Sequence, residues 1–177
     1  GESMRQEYIL AGSGGQGLVM MGIILGQAAA EEGYTVAQTQ SYGIATRGGV
    51  SFSEVVVSDE EILYPKTVMP DFIMTLTEET YSKFRRIYPE SRIFADLDEV
   101  EEHPDDKLLI RVPMSSYCRS IHNMRALNML AIGMVVGATG LIEPEVMERV
   151  IQKRFPKAYE TNVKALHKGI EFTKSAR

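Results

Sequence analysis

A glycine-rich segment between a short β-prone run and a long apolar run constrains the fold more than any other feature of this sequence. Residues 12–17 read Gly-Ser-Gly-Gly-Gln-Gly, which matches the pattern G-x-G-x-x-G. Residues 7–11 before it predict a strand, and residues 18–32 after it predict a helix that is apolar on nearly all faces and ends at Gly33. A strand, a tight turn and a buried helix in this order predict an α/β fold.

The runs that follow extend this unit to a mixed sheet. Residues 35–40 predict a second strand, parallel to the first and joined to it by a right-handed crossover. Residues 50–58 and 62–64, separated by an acidic turn, predict a β-hairpin inserted into the βα pattern. Further strands are predicted at 72–76, 92–95 and 107–112, and the last helices at 123–137, 144–155 and 159–173. The predicted fold class is α/β: a three-layer, Rossmann-like mixed sheet with an inserted β-hairpin and a helical C-terminal third.

Length and composition predict one domain that spans residues 1–177. A chain of this length with 44% hydrophobic residues can bury a sizeable core. The formal charge of −5 and the pI of about 5.3 argue against a nucleic-acid-binding surface, because phosphate backbones are held by clustered lysine and arginine. The longest apolar stretch, residues 18–30, is too short and too interrupted to cross a membrane. Gly1, Glu2 and Ser3 precede Met4 and are expected to be a cloning remnant.

The single cysteine, Cys118, limits the chemistry that the chain can hold by itself. It rules out an internal disulfide framework, and with no secretory signal visible we expect a reducing, cytoplasmic location. Iron-sulfur clusters are usually held by four thiolates, so a cluster would have to sit on a partner chain. Cys118 is expected to be a small buried apolar residue, and the spacing of His103, His122 and His167 does not fit a zinc site.

The glycine-rich segment is the first candidate binding site. Its backbone can turn tightly and present amide N–H groups to an anion at the positive end of the following helix. A dinucleotide site would need an acidic residue about 20 positions further on, but residues 36–40 read Val-Ala-Gln-Thr-Gln, and the lysine of a P-loop is also missing. Two interpretations stay open: contact with an anion or a cofactor phosphate, or a loop for backbone packing or subunit contact. The candidate residues are Gly12, Ser13, Gly14, Gly15, Gln16 and Gly17.

A second candidate is the glycine-bearing loop that follows the predicted strand 35–40. Arg47 lies there between flexible glycines, and its guanidinium could hold a carboxylate or phosphate at two points. The alternative is an arginine that pairs with an acidic group across a subunit boundary. Both loops should lie at the carboxyl edge of the sheet, where open α/β folds place ligands. The candidate residues of this loop are Tyr42, Gly43, Arg47, Gly48 and Gly49.

Several other positions have a structural and a functional interpretation. Gly22 and Gly26 leave one face of the first helix bare and predict close packing against the sheet. Asn128 lies in a very apolar helix and Asn162 in the last helix. Each is a hydrogen-bonded structural amide or a ligand contact, and the structural interpretation is favoured. Residues 96–106 are expected to form an acidic, solvent-facing loop.

Three segments together, 12–17, 38–43 and 47–49, resemble the gamma subunit, or the equivalent domain, of 2-oxoacid:ferredoxin oxidoreductases. Segments 59–62, 64–65, 70–71, 128–129 and 162–166 with Gly169 agree with the resemblance, which spans residues 7–172. Residues 39–43 are most similar to the 2-oxoglutarate type and next to the pyruvate type. The chain departs from the family at 44–46, where it has Ile-Ala-Thr and family members often carry a Pro-Glu pair.

The resemblance implies an enzyme that oxidatively decarboxylates a 2-oxoacid to an acyl-CoA and passes the electrons to ferredoxin. Thiamine diphosphate, magnesium, a [4Fe-4S] cluster and coenzyme A are then expected in the whole complex, with none held by this chain alone and no catalytic residue on it. The implied partners are alpha and beta subunits, with a ferredoxin-like delta subunit as a further candidate. A free-standing dinucleotide- or nucleotide-binding module and a purely structural interface protein are the alternatives.

Overall fold

The computed structural model describes residues 4–42 and 50–175, and within them six strands form one mixed sheet. The strands are β1 (Arg5–Ser13), β2 (Thr35–Tyr42), β3 (Val50–Ser58), β4 (Phe72–Thr75), β5 (Ile93–Asp96) and β6 (Leu109–Val112). The helices are α1 (Leu18–Glu31), α2 (Glu78–Ile87), α3 (Met114–Ser120), α4 (Leu127–Thr139), α5 (Pro144–Arg154) and α6 (Tyr159–Ser175). The predicted α/β class and the helical C-terminal third are confirmed.

The order of the sheet is β2-β3-β1-β4-β5-β6. Strands β1, β4, β5 and β6 are parallel, whereas β3 is antiparallel to both β1 and β2. The sheet is therefore mixed, as expected, and β2 runs in the direction of β1. It is separated from β1 by β3, which the sequence did not indicate.

The predicted pairing of residues 50–58 with 62–64 is wrong. Residues 59–71 form an irregular loop, and β3 pairs along its whole length with β1 on one side and β2 on the other. Two prolines, Pro65 and Pro70, deprive this loop of ladder N–H groups. Its backbone is bonded instead to the side chains of Arg5 and Glu7.

Helices cover both faces of the sheet, so the three layers are confirmed. Alternate residues of β1 serve the two cores, as the period-two geometry of a strand requires. Tyr8 and Leu10 pack among residues of α1, α4, α5 and α6, and Ile9 and Ala11 pack against α2. No helix within residues 4–42 and 50–175 is long and apolar enough to cross a membrane.

Bare glycine faces allow two close helix approaches. A β-carbon at Gly22 would lie 2.3 Å from Nε2 of Gln38, so α1 sits directly against β2, and the packing prediction for this face is confirmed. Helices α4 and α6 approach each other more closely still. A β-carbon at Gly133 would lie 2.0 Å from the carbonyl oxygen of Leu166, and one at Gly169 would lie 2.0 Å from that of Leu130. These contacts fix how the N-terminal ends of α4 and α6 sit beside α1.

Candidate functional site

A cleft of about 890 Å³ opens at the carboxyl edge of the sheet. It is bounded by the turn between β1 and α1, by α3, and by the N-terminal ends of α4 and α6. Open α/β sheets bind ligands at this edge, and pockets of this volume accommodate cofactor-sized molecules. The glycine-rich segment enters the cleft through Gly15, Gln16 and Gly17.

The glycine-rich segment is held by an internal hydrogen bond and leads into the N-terminal end of α1. Oε1 of Gln16 accepts the N–H of Ser13 at 2.7 Å, and a β-carbon at Gly12 would collide with this oxygen at 2.2 Å. Gly15 and Gly17 have φ of 86° and 78°, values that favour glycine. Within the segment, Gly12, Ser13 and Gln16 therefore hold the turn together.

The N-terminal end of α1 carries no side-chain cap. Its N-cap is Gly17, and the first turn contains no acidic residue. The first N–H groups of a helix have no partner within the helix, so those of α1 are left for whatever occupies the cleft. Nδ2 of Asn128 would lie 2.9 Å from a β-carbon on Gly17, which places this amide directly against the helix end.

Two side-chain amides of the cleft make no hydrogen bond within the described residues. Asn128 lies on α4 and Asn162 on α6; both are half-buried, and both line the cleft. The favoured interpretation, a satisfied structural amide, has no supporting hydrogen bond within residues 4–42 and 50–175. Half-buried amides that lack an internal partner are suited to bind a polar ligand.

Two arginines of the cleft were missed by sequence reasoning. Arg119, on α3, lies 3.5 Å from a carboxylate oxygen of Asp98, and 56% of its side chain is exposed. Arg125 precedes α4, is exposed, and has no carboxylate within 4 Å among residues 4–42 and 50–175. Guanidinium groups bind phosphates and carboxylates at two points. No local motif marks either arginine, because the fold alone brings them beside the glycine turn.

Apolar side chains complete the wall of the cleft. Met20 is 37% exposed and Met124 49% exposed, and Leu127 and Phe155 also line the space. Methionine and phenylalanine present polarisable surfaces that suit a flat ring or an alkyl chain. The cleft thus combines two arginines, one carboxylate from Glu99 and several side-chain amides with an apolar surface.

Helix α3 owes its position to two carboxylates at the end of β5. Asp96 accepts bonds from the N–H and the hydroxyl of Ser115, and Asp98 accepts them from the N–H and hydroxyl of Ser116. Asp96 is fully buried, which corrects the prediction that residues 96–106 all face solvent. Burial raises the pKa of Asp96, although the Ser115 bonds oppose the rise.

Asp98 behaves in the opposite way, and this affects Arg119. Burial pushes the pKa of Asp98 up, but the two Ser116 bonds and the charge of Arg119 outweigh it, so the pKa is lowered. Asp98 therefore stays ionised and holds the Arg119 guanidinium at the cleft wall.

Cys118, on the same helix, is fully buried as expected, and burial raises the pKa of its thiol to about 11. A thiol with such a pKa is a poor nucleophile at neutral pH.

The second candidate loop lies outside the described residues for Gly43, Arg47, Gly48 and Gly49. The strand ends that flank it are described. Ser13 pairs with Val50 at the end of β1, and Tyr42 pairs with Ser51 at the end of β2. Both loops therefore start from the same edge of the sheet.

In the described ranges no group of three His, Cys, Asp or Glu side chains could hold a metal ion.

Comparisons with known proteins agree on one family. The family model described as pyruvate ferredoxin/flavodoxin oxidoreductase matches residues 7–172. The 2-oxoglutarate synthase subunit KorC of Methanocaldococcus jannaschii is 36% identical over 178 residues, which cover 97% of this chain and 95% of that protein. The ketoisovalerate oxidoreductase subunit VorA of Methanothermobacter thermautotrophicus is 31% identical over 93% of this chain but only 36% of its own length.

Two solved structures share the fold. A gamma subunit of a keto/oxoacid ferredoxin oxidoreductase from Geobacter sulfurreducens superposes with a TM-score of 0.83 at 29% identity and covers 98% of both chains. A 2-oxoglutarate:ferredoxin oxidoreductase from Magnetococcus marinus, solved with 2-oxoglutarate, coenzyme A and succinyl-CoA bound, has a TM-score of 0.85 at 22% identity, over 99% of this chain and 32% of that one. The resemblance inferred from the sequence is confirmed, and the chain belongs to the pyruvate ferredoxin/flavodoxin oxidoreductase family.

Proposed function

We propose that this chain, as a single domain of residues 1–177, is the gamma-type subunit of a cytoplasmic 2-oxoglutarate:ferredoxin oxidoreductase, and that its cleft holds the phosphate-bearing part of coenzyme A. The substrate class follows from the similarity to KorC over 97% of the chain. The enzyme decarboxylates a 2-oxoacid oxidatively and transfers the acyl group to the thiol of coenzyme A. The redox cofactors lie elsewhere, because the chain contains one cysteine and that residue is buried.

The partners supply what this chain lacks. Thiamine diphosphate with its magnesium ion belongs to subunits of alpha and beta type. The [4Fe-4S] cluster belongs to those subunits or to a ferredoxin-like delta subunit that passes electrons to ferredoxin. The gamma-type chain positions one substrate of the reaction, so it is not active alone.

The observation that carries the coenzyme A assignment is the pairing of cationic and apolar surfaces in one cleft. Arg125, Arg119 and the uncapped end of α1 are suited to phosphate oxygens. Asn128 and Asn162 offer donors and acceptors for the amides of the pantetheine arm or for the edge of the adenine ring. Arg47 and the glycines beside it, which lie outside the described residues, form a second phosphate contact in this proposal.

The test is steady-state kinetics of the reconstituted enzyme with the Arg125→Gln variant. Loss of one charged hydrogen bond costs about 1.5–3 kcal/mol, so we expect the KM for coenzyme A to rise about tenfold or more. The KM for 2-oxoglutarate should stay unchanged, since the 2-oxoacid reacts on a partner subunit. Arg149→Gln is the matched control, because Arg149 is exposed on α5 and does not line the cleft.

A normal KM for coenzyme A in both Arg125→Gln and Asn128→Ala would contradict the proposed role of the cleft. Asn128→Ala removes an amide that has no partner in the described chain, so its folding stability should change little. This makes a kinetic effect attributable to the ligand.

A further inference from the structure

A loop at the edge of the sheet opposite the cleft exposes four large apolar side chains. This loop, residues 59–71, connects the end of β3 to the start of β4 and lies beside the first residues of β1. Leu63 is 86% exposed, Tyr64 55%, Val68 66% and Met69 77%. A single exposed apolar residue is ordinary, but a group of them on one loop marks an interaction site in soluble proteins.

Charged groups at the start of β1 hold the backbone of this loop in place. Glu7 is 4% exposed, and its carboxylate accepts the N–H of Val68 at 2.8 Å and that of Met69 at 2.7 Å. Arg5 pairs with Glu7 at 3.2 Å and donates to the carbonyl oxygen of Tyr64 at 2.8 Å. The loop is therefore fixed through its backbone while its apolar side chains stay in solvent. Such preorganisation reduces the entropy cost of binding a partner.

The charges of the loop indicate whether its partner is a second copy of this chain or a different chain. Residues 59–71 contain Asp59, Glu60, Glu61 and Asp71 against one lysine, Lys66. A second copy of this chain, related by a two-fold axis that passes through this loop, would bring the same carboxylates together, which is unfavourable. A different chain with an apolar recess and a basic rim would complement them. The VorA relative, in which this domain is 36% of a longer polypeptide, shows that the domain also occurs joined to further chain.

We infer that loop 59–71 is the surface by which this chain docks onto the larger, cofactor-bearing subunit of its enzyme. The partner surface is an apolar recess that receives Leu63 and Met69 and is bordered by lysine or arginine facing Glu60 and Glu61. This inference rests on the proposed function, since it takes the chain to be one subunit of that enzyme. It assigns ligand binding and docking to opposite edges of the sheet.

The test compares the wild-type chain of residues 1–177 with the double variant Leu63→Ser, Met69→Ser for binding to the co-expressed larger subunits. Both side chains are mostly exposed, so the melting temperature of the isolated variant should match that of the wild type. Binding measured by interferometry should weaken about thirtyfold or more. Leu97→Ser is the matched control and should bind normally. Leu97 is 40% exposed and directly follows the carboxyl end of β5, at the edge of the sheet opposite the docking loop.

The charge assignment is tested separately by Glu60→Lys, Glu61→Lys, which should weaken binding most at low salt. The inference is overturned if Leu63→Ser, Met69→Ser binds within about threefold of the wild type. It is also overturned if the isolated wild-type chain sediments as a dimer and this variant as a monomer, because the occupant would then be a second copy. Failure of the proposed function looks different: the Arg125→Gln enzyme would assemble and show an unchanged KM for coenzyme A.

Discussion

Replacing Gly169 by alanine should force α4 and α6 apart. The new β-carbon would lie 2.0 Å from the carbonyl oxygen of Leu130, 2.9 Å from the amide nitrogen of Met134 and 3.0 Å from the carbonyl carbon of Gly133. All three are backbone atoms, so no side-chain rotation can relieve the clash. The two helices must separate by roughly 1.5 Å to restore normal contact distances.

The magnitude follows from two opposing effects. Overpacking a core costs about 1–3 kcal/mol and more where backbone must move, whereas alanine gains up to about 1 kcal/mol over glycine in helix propensity. We expect a net loss of about 2 kcal/mol in the free energy of unfolding, measured by urea denaturation. For a chain of this size the melting temperature should fall by roughly 4–8 °C.

The matched control is Gly14→Ala, because a β-carbon there meets nothing within 4 Å. Its stability should equal that of the wild type. The Gly169→Ala variant should also bind coenzyme A more weakly, since α4 and α6 carry Asn128 and Asn162. If Gly169→Ala is as stable as the wild type, the close approach of the two helices is wrong.

Three further changes test other parts of the structure. Glu7→Gln leaves the N–H groups of Val68 and Met69 with a neutral acceptor and should cost about 1–3 kcal/mol in urea unfolding. His122→Gly should raise stability by about 0.5–1 kcal/mol, because His122 has a φ of 51°, and His122→Ala should show no such gain. The pKa of Asp96 is higher in the folded chain than in the unfolded chain. As the pH rises from the unfolded-state pKa through the folded-state pKa, the free energy of unfolding of the wild type should therefore fall relative to that of Asp96→Asn. Above the folded-state pKa the difference should stay constant. Parallel unfolding curves across that pH range that do not diverge would contradict the assignment.

The first half of the fold was predictable where structure is local. The glycine turn between β1 and α1 is encoded by adjacent residues: Gly17 takes a left-handed φ that favours glycine, and a β-carbon at Gly12 would collide with Gln16. The insertion of β3 between β1 and β2 was not predictable, because strand pairing depends on contacts far apart in sequence. Helix α3 was missed for a similar reason, since Asp96 and Asp98 on a different element bond to its first turn.

The sequence predicted one part of the candidate site and not the other. The glycine motif by itself indicates one wall of the cleft, because its residues are adjacent in the chain. Arg119, Arg125, Asn128 and Asn162 form the other walls, and they are about 100 or more residues away along the chain. Their meeting depends on how α4 and α6 cross, which no local pattern encodes.

The most direct test of the account is hydrogen exchange of the assembled enzyme with and without coenzyme A. If the cleft holds the phosphate-bearing part of coenzyme A, exchange should slow in residues 15–20 and 124–128, where amides of the glycine turn and the ends of α1 and α4 line the cleft. Exchange in the docking loop, residues 59–71, should not respond to the ligand. Unchanged exchange in residues 15–20 at saturating coenzyme A would contradict the central claim.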